Sequence, residues 1–122
     1  MTGATAGLDR HHAALADAKA APILPGERSA RILAHGSMLV RYYAPRGVDA
    51  QTPHAQDEIY VVAGGSGTFF NGGARHAFRT GDVLFAAAGV AHRFENITDD
   101  FAAWVVFHGP AGGERTASAA PR

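Results

Sequence analysis

Short apolar stretches separated by turn residues constrain this chain more than any other feature. From Ser29 onward, segments rich in Val, Ile, Phe and Tyr alternate with Gly, Asn, Asp and Pro, which is typical of antiparallel β proteins. Glycine clusters such as 64–67 and 71–73 supply the positive φ angles that tight hairpins need. We predict eight strands, at residues 29–34, 37–44, 57–63, 66–70, 74–79, 82–86, 91–96 and 101–108. Eight strands at this spacing favour an all-β sandwich or closed roll.

The two ends of the chain differ from this β-rich middle. The first 22 residues are rich in alanine, and Leu8 to Ala21 is predicted to form a short helix that needs a surface to pack on. The last residues are mainly Gly, Ala, Ser and Pro, a composition typical of mobile tails. We therefore divide the chain into an N-terminal arm (1–28), a barrel (29–110) and a flexible tail (111–122).

The composition excludes several classes of protein. A chain of 122 residues is one domain by size. Lys plus Arg equals Asp plus Glu, 11 each, so no net charge attracts nucleic acid or an anionic membrane. No apolar run approaches the length of a membrane span, and the N-terminus does not resemble a signal peptide. Because there is no cysteine, any metal must be held by imidazole and oxygen. We expect a cytoplasmic protein without nucleic-acid or membrane partners.

Two histidines and a glutamate are the candidate metal ligands. His54 and Glu58 are four residues apart at the start of a predicted strand. In an extended chain, residues separated by an even number share a face, so both side chains can point inward. His92 begins a later strand after a glycine turn. Two imidazoles and one carboxylate that converge inside a barrel make a two-His, one-carboxylate site for a divalent metal.

The residues around these ligands resemble the first signature of the cupin family, G-x5-HxH-x3,4-E-x6-G. His54, Glu58 and Gly65 stand at the expected spacings, whereas Thr52 stands where the first histidine is expected. Three protein ligands then remain, and water or substrate would complete the coordination. Gln51 is a possible additional ligand through its amide oxygen, if a bulge turns it inward.

Residues 81–96 resemble the second cupin signature, G-x5-PxG-x2-H-x3-N. His92 and Asn96 fall at the expected positions, and Ala87 replaces the proline. The resemblance implies an all-β, double-stranded β-helix (jelly-roll) barrel that is commonly a homodimer. It also implies one divalent metal ion, with Fe, Mn, Ni and Zn equally compatible.

Further residues are candidates for the cavity and its surroundings, although the sequence leaves the catalytic residues open. Three of them could ring the mouth and meet an anionic substrate: Arg41, Tyr43 and His108. The aromatic residues are expected to line the barrel: Tyr60, Phe85, Phe94 and Trp104. Asp57 is expected to face solvent, because it neighbours the inward Glu58 on a strand.

Three classes of function fit this pattern. An open metal site suits an oxygenase acting on a small organic acid or aromatic, or a lyase or isomerase that uses the metal as a Lewis acid. Alternatively, the barrel is a non-catalytic module that binds a sugar or another small ligand. A regulatory barrel is the weakest reading, because the short neutral chain leaves no room for a DNA-binding domain. The fold alone does not decide among them.

Overall fold

The structure is a computed structural model that describes residues 7–47, 49 and 52–114. This part of the chain contains one short helix, α1 (Leu15–Ala20), and eight strands. The strands are β1 (Ala30–His35), β2 (Met38–Tyr43), β3 (Asp57–Gly64), β4 (Ser66–Asn71), β5 (Ala74–Arg79), β6 (Val83–Ala86), β7 (His92–Glu95) and β8 (Ala102–His108). Each predicted strand is present, with ends that differ by no more than one residue. The helix is shorter than the predicted Leu8–Ala21.

The strands form two antiparallel sheets. One sheet has the order β1-β2-β8-β3-β6 and the other the order β5-β4-β7. Strands distant in sequence are neighbours, as in β2 with β8 and β4 with β7, so the chain passes repeatedly between the sheets. This is the jelly-roll arrangement expected from the sequence. Among the described residues, strand pairing does not join the two sheets into one closed barrel. No helix in the same ranges is long and apolar enough to cross a membrane.

The main core lies between the two sheets. Alternate residues of the strands point into it, which is why the sequence shows apolar residues at every second position. Both sheets contribute to it, and its buried members are Tyr43, Tyr60, Val62, Phe69, Phe78, Ala86, Phe94, Phe101, Ala103 and Val105. Four of the other five phenylalanine and tyrosine rings of this core have centroids within 6 Å of Phe94, so aromatic packing dominates the core.

A second core lies on the outer face of the five-stranded sheet, under the N-terminal arm. The backbone N–H of Ala34 donates to the carbonyl of Leu8 at 2.8 Å, which fixes the arm along β1. Ala18 of α1 is buried against this face in a cluster that contains Ile32 and Tyr42. Apolar contact with the sheet therefore supports a helix that is too short to be stable alone.

Strand β6 corrects one prediction about the barrel lining. Leu84 and Ala86 point toward the core, so Val83 and Phe85 point outward and are 66% and 52% exposed. The expectation that Phe85 lines the interior is wrong, because the register of β6 against β3 pairs it with Ile59, on the face opposite to Glu58.

Candidate metal centre

His54, Glu58 and His92 come together at one end of the space between the sheets. Glu58 is the second residue of β3 and points inward, where it is 1% exposed. His92 opens β7 on the opposite sheet and is 3% exposed. His54 lies in the loop that enters β3, with its side chain one-third exposed. One ligand atom from each residue lies within 4.8 Å of the other two.

Glu58 lies between the two imidazoles. Its Oε1 is 2.6 Å from His92 Nε2 and 3.7 Å from His54 Nε2. The two imidazole rings are 5.4 Å apart, and the ring of Phe107 packs edge-on against His54 at 5.0 Å. The same carboxylate oxygen therefore faces both ring nitrogens.

The tautomer of His92 makes this arrangement suitable for a cation. Its Nδ1 lies 2.8 Å from the carbonyl oxygen of Val90, which can only accept, so Nδ1 carries a proton and donates it. In the neutral ring, the lone pair of Nε2 then points toward Glu58. Both carboxylate oxygens of Glu58 are buried without a hydrogen-bond partner among the described residues. Buried acceptors that face one another need a cation between them, either a proton or a metal ion.

The two imidazoles have opposite tendencies to hold a proton. Burial lowers the pKa of His54, and the opposing charge of Glu58 does not reverse this. Burial also acts to lower the pKa of His92, but the Glu58 carboxylate 2.6 Å away and the hydrogen bond to the Val90 carbonyl raise it above its ordinary value. Since a metal binds the neutral ring, the lowered pKa of His54 favours metal binding, whereas the raised pKa of His92 opposes it.

A cavity of about 480 Å³ opens onto this cluster. Its lining includes His54 and Glu58, three of the predicted pocket residues (Arg41, Tyr43 and Tyr60), and Thr52 at the position of the missing motif histidine. The other two predicted pocket residues do not line it. Trp104 packs edge-on against Tyr42 in the outer core. His108 is paired with Asp57 on the face of β8 opposite to Phe107. Gln51 lies outside the described residues.

The sequence matches a known family over more than half of its length. A family model described as "Cupin domain" matches residues 39–108, which include all three candidate ligands. The chain belongs to the cupin family. The match confirms the resemblance carried by the two sequence signatures, and it extends from β2 to the end of β8.

Comparisons with individual proteins agree with this family. A relative from Streptomyces coelicolor, an uncharacterized protein, is 42% identical over 62 residues, which is 51% of this chain and 59% of that relative. The chain thus spans less than two thirds of that relative's length. A Ralstonia eutropha protein provisionally named as a mannose-6-phosphate isomerase superposes with a TM-score of 0.62 at 22% identity, over 80% of this chain and 96% of that one. A Thermotoga maritima protein provisionally named as an oxalate decarboxylase gives 0.51 at 25% identity, over 64% and 76%.

In this cupin, two distant segments hold the loop that carries His54. The His54 carbonyl accepts the N–H of Gly89 at 2.8 Å, and the Ala55 carbonyl accepts the N–H of Gly112 at 2.7 Å. The amide of Gln56 donates to the carbonyl of Gly109 at 2.8 Å. The loop is therefore fixed both to the turn before β7 and to the segment after β8, which limits the movement of the ligand.

Asp57 also helps to hold this loop in place, and its burial corrects a prediction. It is 7% exposed rather than facing solvent. One carboxylate oxygen accepts the N–H of Ala88 at 2.9 Å, and the other accepts the N–H of Glu114 at 3.0 Å. The hydrogen bonds from Glu114 and Ala88 lower the pKa of Asp57. The side chain does leave the strand on the outer face, but the two loops cover it there.

Two tyrosines are among the polar residues of the cavity wall. The hydroxyl oxygen of Tyr60 is 3.1 Å from His92 Nε2, and the residue is 1% exposed. Tyr43 donates its hydroxyl hydrogen to Asp49, whose other oxygen accepts the N–H of Phe94 at 2.7 Å. Burial and the Asp49 carboxylate raise the pKa of Tyr43 far above its ordinary value. Sequence reasoning missed Asp49, which occupies one of the unspecified positions of the first signature.

Charged side chains form part of the cavity wall. The Glu27 carboxylate is hydrogen-bonded to Arg31 and lies 3.1 Å from Arg41, and Arg31 first and Arg41 next lower its pKa. Arg28 also lines the cavity. The guanidinium groups of Arg28 and Arg41 therefore line the same cavity as the Glu27 carboxylate.

Proposed function

We propose that this cupin is a metal-dependent enzyme that acts on a small organic acid or aromatic substrate. The observation that carries the proposal is the Glu58 carboxylate, which is buried beside His92 Nε2 with neither oxygen hydrogen-bonded among the described residues. His54, Glu58 and His92 would hold one divalent ion, for which Fe, Mn, Ni and Zn are candidates. Such an ion would supply Lewis acidity or, as iron(II), a binding place for dioxygen.

The open side of the cluster supports catalysis over a purely structural role. Structural metal sites are normally closed by protein ligands, whereas catalytic sites keep open positions. Here two of the three candidate ligands, His54 and Glu58, line a cavity of about 480 Å³, a size that suits a small molecule. His54, one-third exposed, is the ligand closest to the entrance.

The guanidinium groups in the cavity wall favour an anionic substrate. Arg41 lines the cavity, and its guanidinium is oriented by Glu27 and by the hydroxyl and carbonyl of Ser29, at 3.1–3.2 Å. An oriented guanidinium is well suited to bind a carboxylate or phosphate. In the proposed enzyme, Arg41 and Arg28 bind the acidic group of the substrate, and Tyr60 and Phe107 exclude water from the reacting end.

We rank two reaction classes by how well they suit the chemistry of the site. A dioxygenase-like reaction comes first, because a two-His, one-carboxylate set with open positions suits iron(II) and oxygen. A metal-assisted lyase or isomerase comes second, in keeping with structural relatives provisionally named as an isomerase and a decarboxylase. The non-catalytic alternative is a barrel that binds a sugar or another small ligand.

Anaerobic reconstitution separates these classes. The protein is loaded in turn with Fe(II), Mn(II), Ni(II) and Zn(II) and offered catechols, β-diketones, hydroxy acids and sugar phosphates. Oxygen uptake with iron alone supports the dioxygenase, and turnover with nickel or zinc under argon supports the lyase or isomerase. Glu58→Ala is the inactive control. Tight binding of one compound without turnover under any metal would replace the enzyme by the binding module.

A homodimer in the cytoplasm is part of the same proposal. The exposed Val83 and Phe85 lie side by side on β6, at the edge of the five-stranded sheet, and exposed apolar groups on a sheet edge favour association. Light scattering at micromolar concentration should give twice the monomer mass, and Phe85→Lys should reduce it. A monomeric wild-type protein would contradict the dimer.

A further inference from the structure

Tyr60 lies beside the three candidate ligands. It follows Glu58 by two residues on β3, so both side chains point to the same face of the strand. Its hydroxyl oxygen is 3.1 Å from His92 Nε2, the nitrogen that faces Glu58 Oε1 at 2.6 Å. The phenol thus shares with Glu58 the ring nitrogen that would bind the metal.

We propose that the phenol oxygen of Tyr60 is a ligand of the metal ion and compensates for threonine at position 52. The inference rests on the proposed metal centre of His54, Glu58 and His92. It adds an oxygen donor that neither of the two sequence signatures contains.

The distances fit neighbouring positions on one ion. Protein ligands bind such metals at about 2.1 Å, so two ligands at right angles on an octahedral ion lie about 3 Å apart, the diagonal of that length. The Tyr60 oxygen and His92 Nε2 are 3.1 Å apart, and the three other ligand atoms lie within 4.8 Å of one another. The separation of the Tyr60 oxygen from His92 Nε2 therefore fits two adjacent ligands of one ion.

Packing holds the phenol in this position. The ring meets Phe94 edge-on at 4.9 Å and Phe69 at 5.7 Å, and the residue is 1% exposed. Rotation of the ring away from the cluster would need space that the core does not have. A metal ion held by Tyr60 would bind the phenol oxygen in place of its proton, and that proton would leave through the cavity, which Tyr60 lines, to solvent.

Iron(III) provides a direct probe, because a phenolate bound to iron(III) absorbs visible light through charge transfer. The wild-type protein loaded with one equivalent of Fe(III) should be coloured, and Tyr60→Phe should bind iron but lack the band. Its affinity for Zn(II), measured by competition with a chromophoric chelator, should fall at least about tenfold. Tyr43→Phe is the matched control. Tyr43 lines the same cavity, but its hydroxyl is hydrogen-bonded to Asp49 rather than placed beside the candidate ligands. This variant should therefore keep the visible band.

Resonance Raman spectra of wild-type protein grown on ring-deuterated tyrosine give a second measurement that needs no variant at position 60. The bands enhanced by the visible transition should shift with the isotope. A wild-type protein that binds iron one to one without a visible band, or a band that survives in Tyr60→Phe, overturns the assignment of Tyr60 and leaves the three-residue metal centre intact. Failure of the wild type to bind any metal overturns both.

Discussion

The two ends of the space between the sheets are built in opposite ways. At one end Phe78, Phe94 and Phe101 pack with ring centroids 4.7–5.5 Å apart, and Phe101 is fully buried. At the other end, Glu58 and His92 are also buried, and Glu58 lines a cavity. Burial without hydrogen-bond partners costs stability, so the polar end depends on the packed end, and on any bound metal, to remain folded.

Removing a ring from the packed end should have the largest effect on folding. Phe101→Ala leaves a cavity among Phe78 and Phe94 and should lower the free energy of unfolding by about 3–5 kcal/mol. Denaturant titration measures this. Because the ligands lie at the other end, the metal-to-protein ratio of the folded variant should be unchanged. A loss of metal without a loss of stability would show that the two ends are not separate.

Asp57, next to the candidate ligand Glu58, accepts hydrogen bonds from two loops. Its substitution should have the second largest effect on stability. In Asp57→Asn, one of the two backbone N–H groups, of Ala88 or Glu114, faces an NH2 group instead of an oxygen. We expect a loss of about 2–3 kcal/mol in unfolding free energy and weaker metal binding, measured by denaturation and chelator competition. The matched control is Asp99→Asn, at an exposed turn position, which should change neither quantity. Equal behaviour of the two variants would remove the proposed role of Asp57.

Thr52→His tests whether the cavity end can be improved as a metal site. Thr52 lines the cavity at the position of the missing motif histidine. An added imidazole should tighten Zn(II) binding about tenfold or more, equivalent to about 1.4 kcal/mol. Isothermal titration calorimetry measures the change. Unchanged affinity would mean that residue 52 does not reach the ion.

The ion pairs of Glu27 with Arg31 and Arg41 should contribute least to the free energy of unfolding. Hydrogen bonds from Arg31 and Arg41 lower the pKa of Glu27, so the folded state binds the proton less tightly than the unfolded state. This contribution is present above the unfolded pKa of about 4.3 and is lost as the pH falls through the lower folded value. For ion pairs that remain partly open to solvent we expect less than about 1 kcal/mol. In Glu27→Gln, the decrease in stability between pH 5 and about pH 3 should be smaller by that amount.

The sequence predicted the strands better than it predicted their surroundings. Turn glycines and period-two patterns are local signals, and they placed every strand within one residue. The motif spacings likewise selected His54, Glu58 and His92, which the structure brings together. Asp57 and Asp49 escaped because their roles depend on backbone N–H groups 31 and 45 residues away. No local pattern records such contacts, and the exposure of Phe85 likewise follows from register rather than composition.

The metal content of the purified protein tests the central claim most directly. Wild-type protein, prepared without a chelator and without a metal-affinity tag, is reconstituted with each divalent metal, dialysed and analysed by elemental mass spectrometry. Glu58→Ala and His92→Ala are treated in the same way, with circular dichroism to verify their folding. We predict about one ion per wild-type chain and nearly none in either folded variant. A wild-type protein without metal, or variants that retain it one to one, would contradict the assignment of His54, Glu58 and His92 as a metal centre.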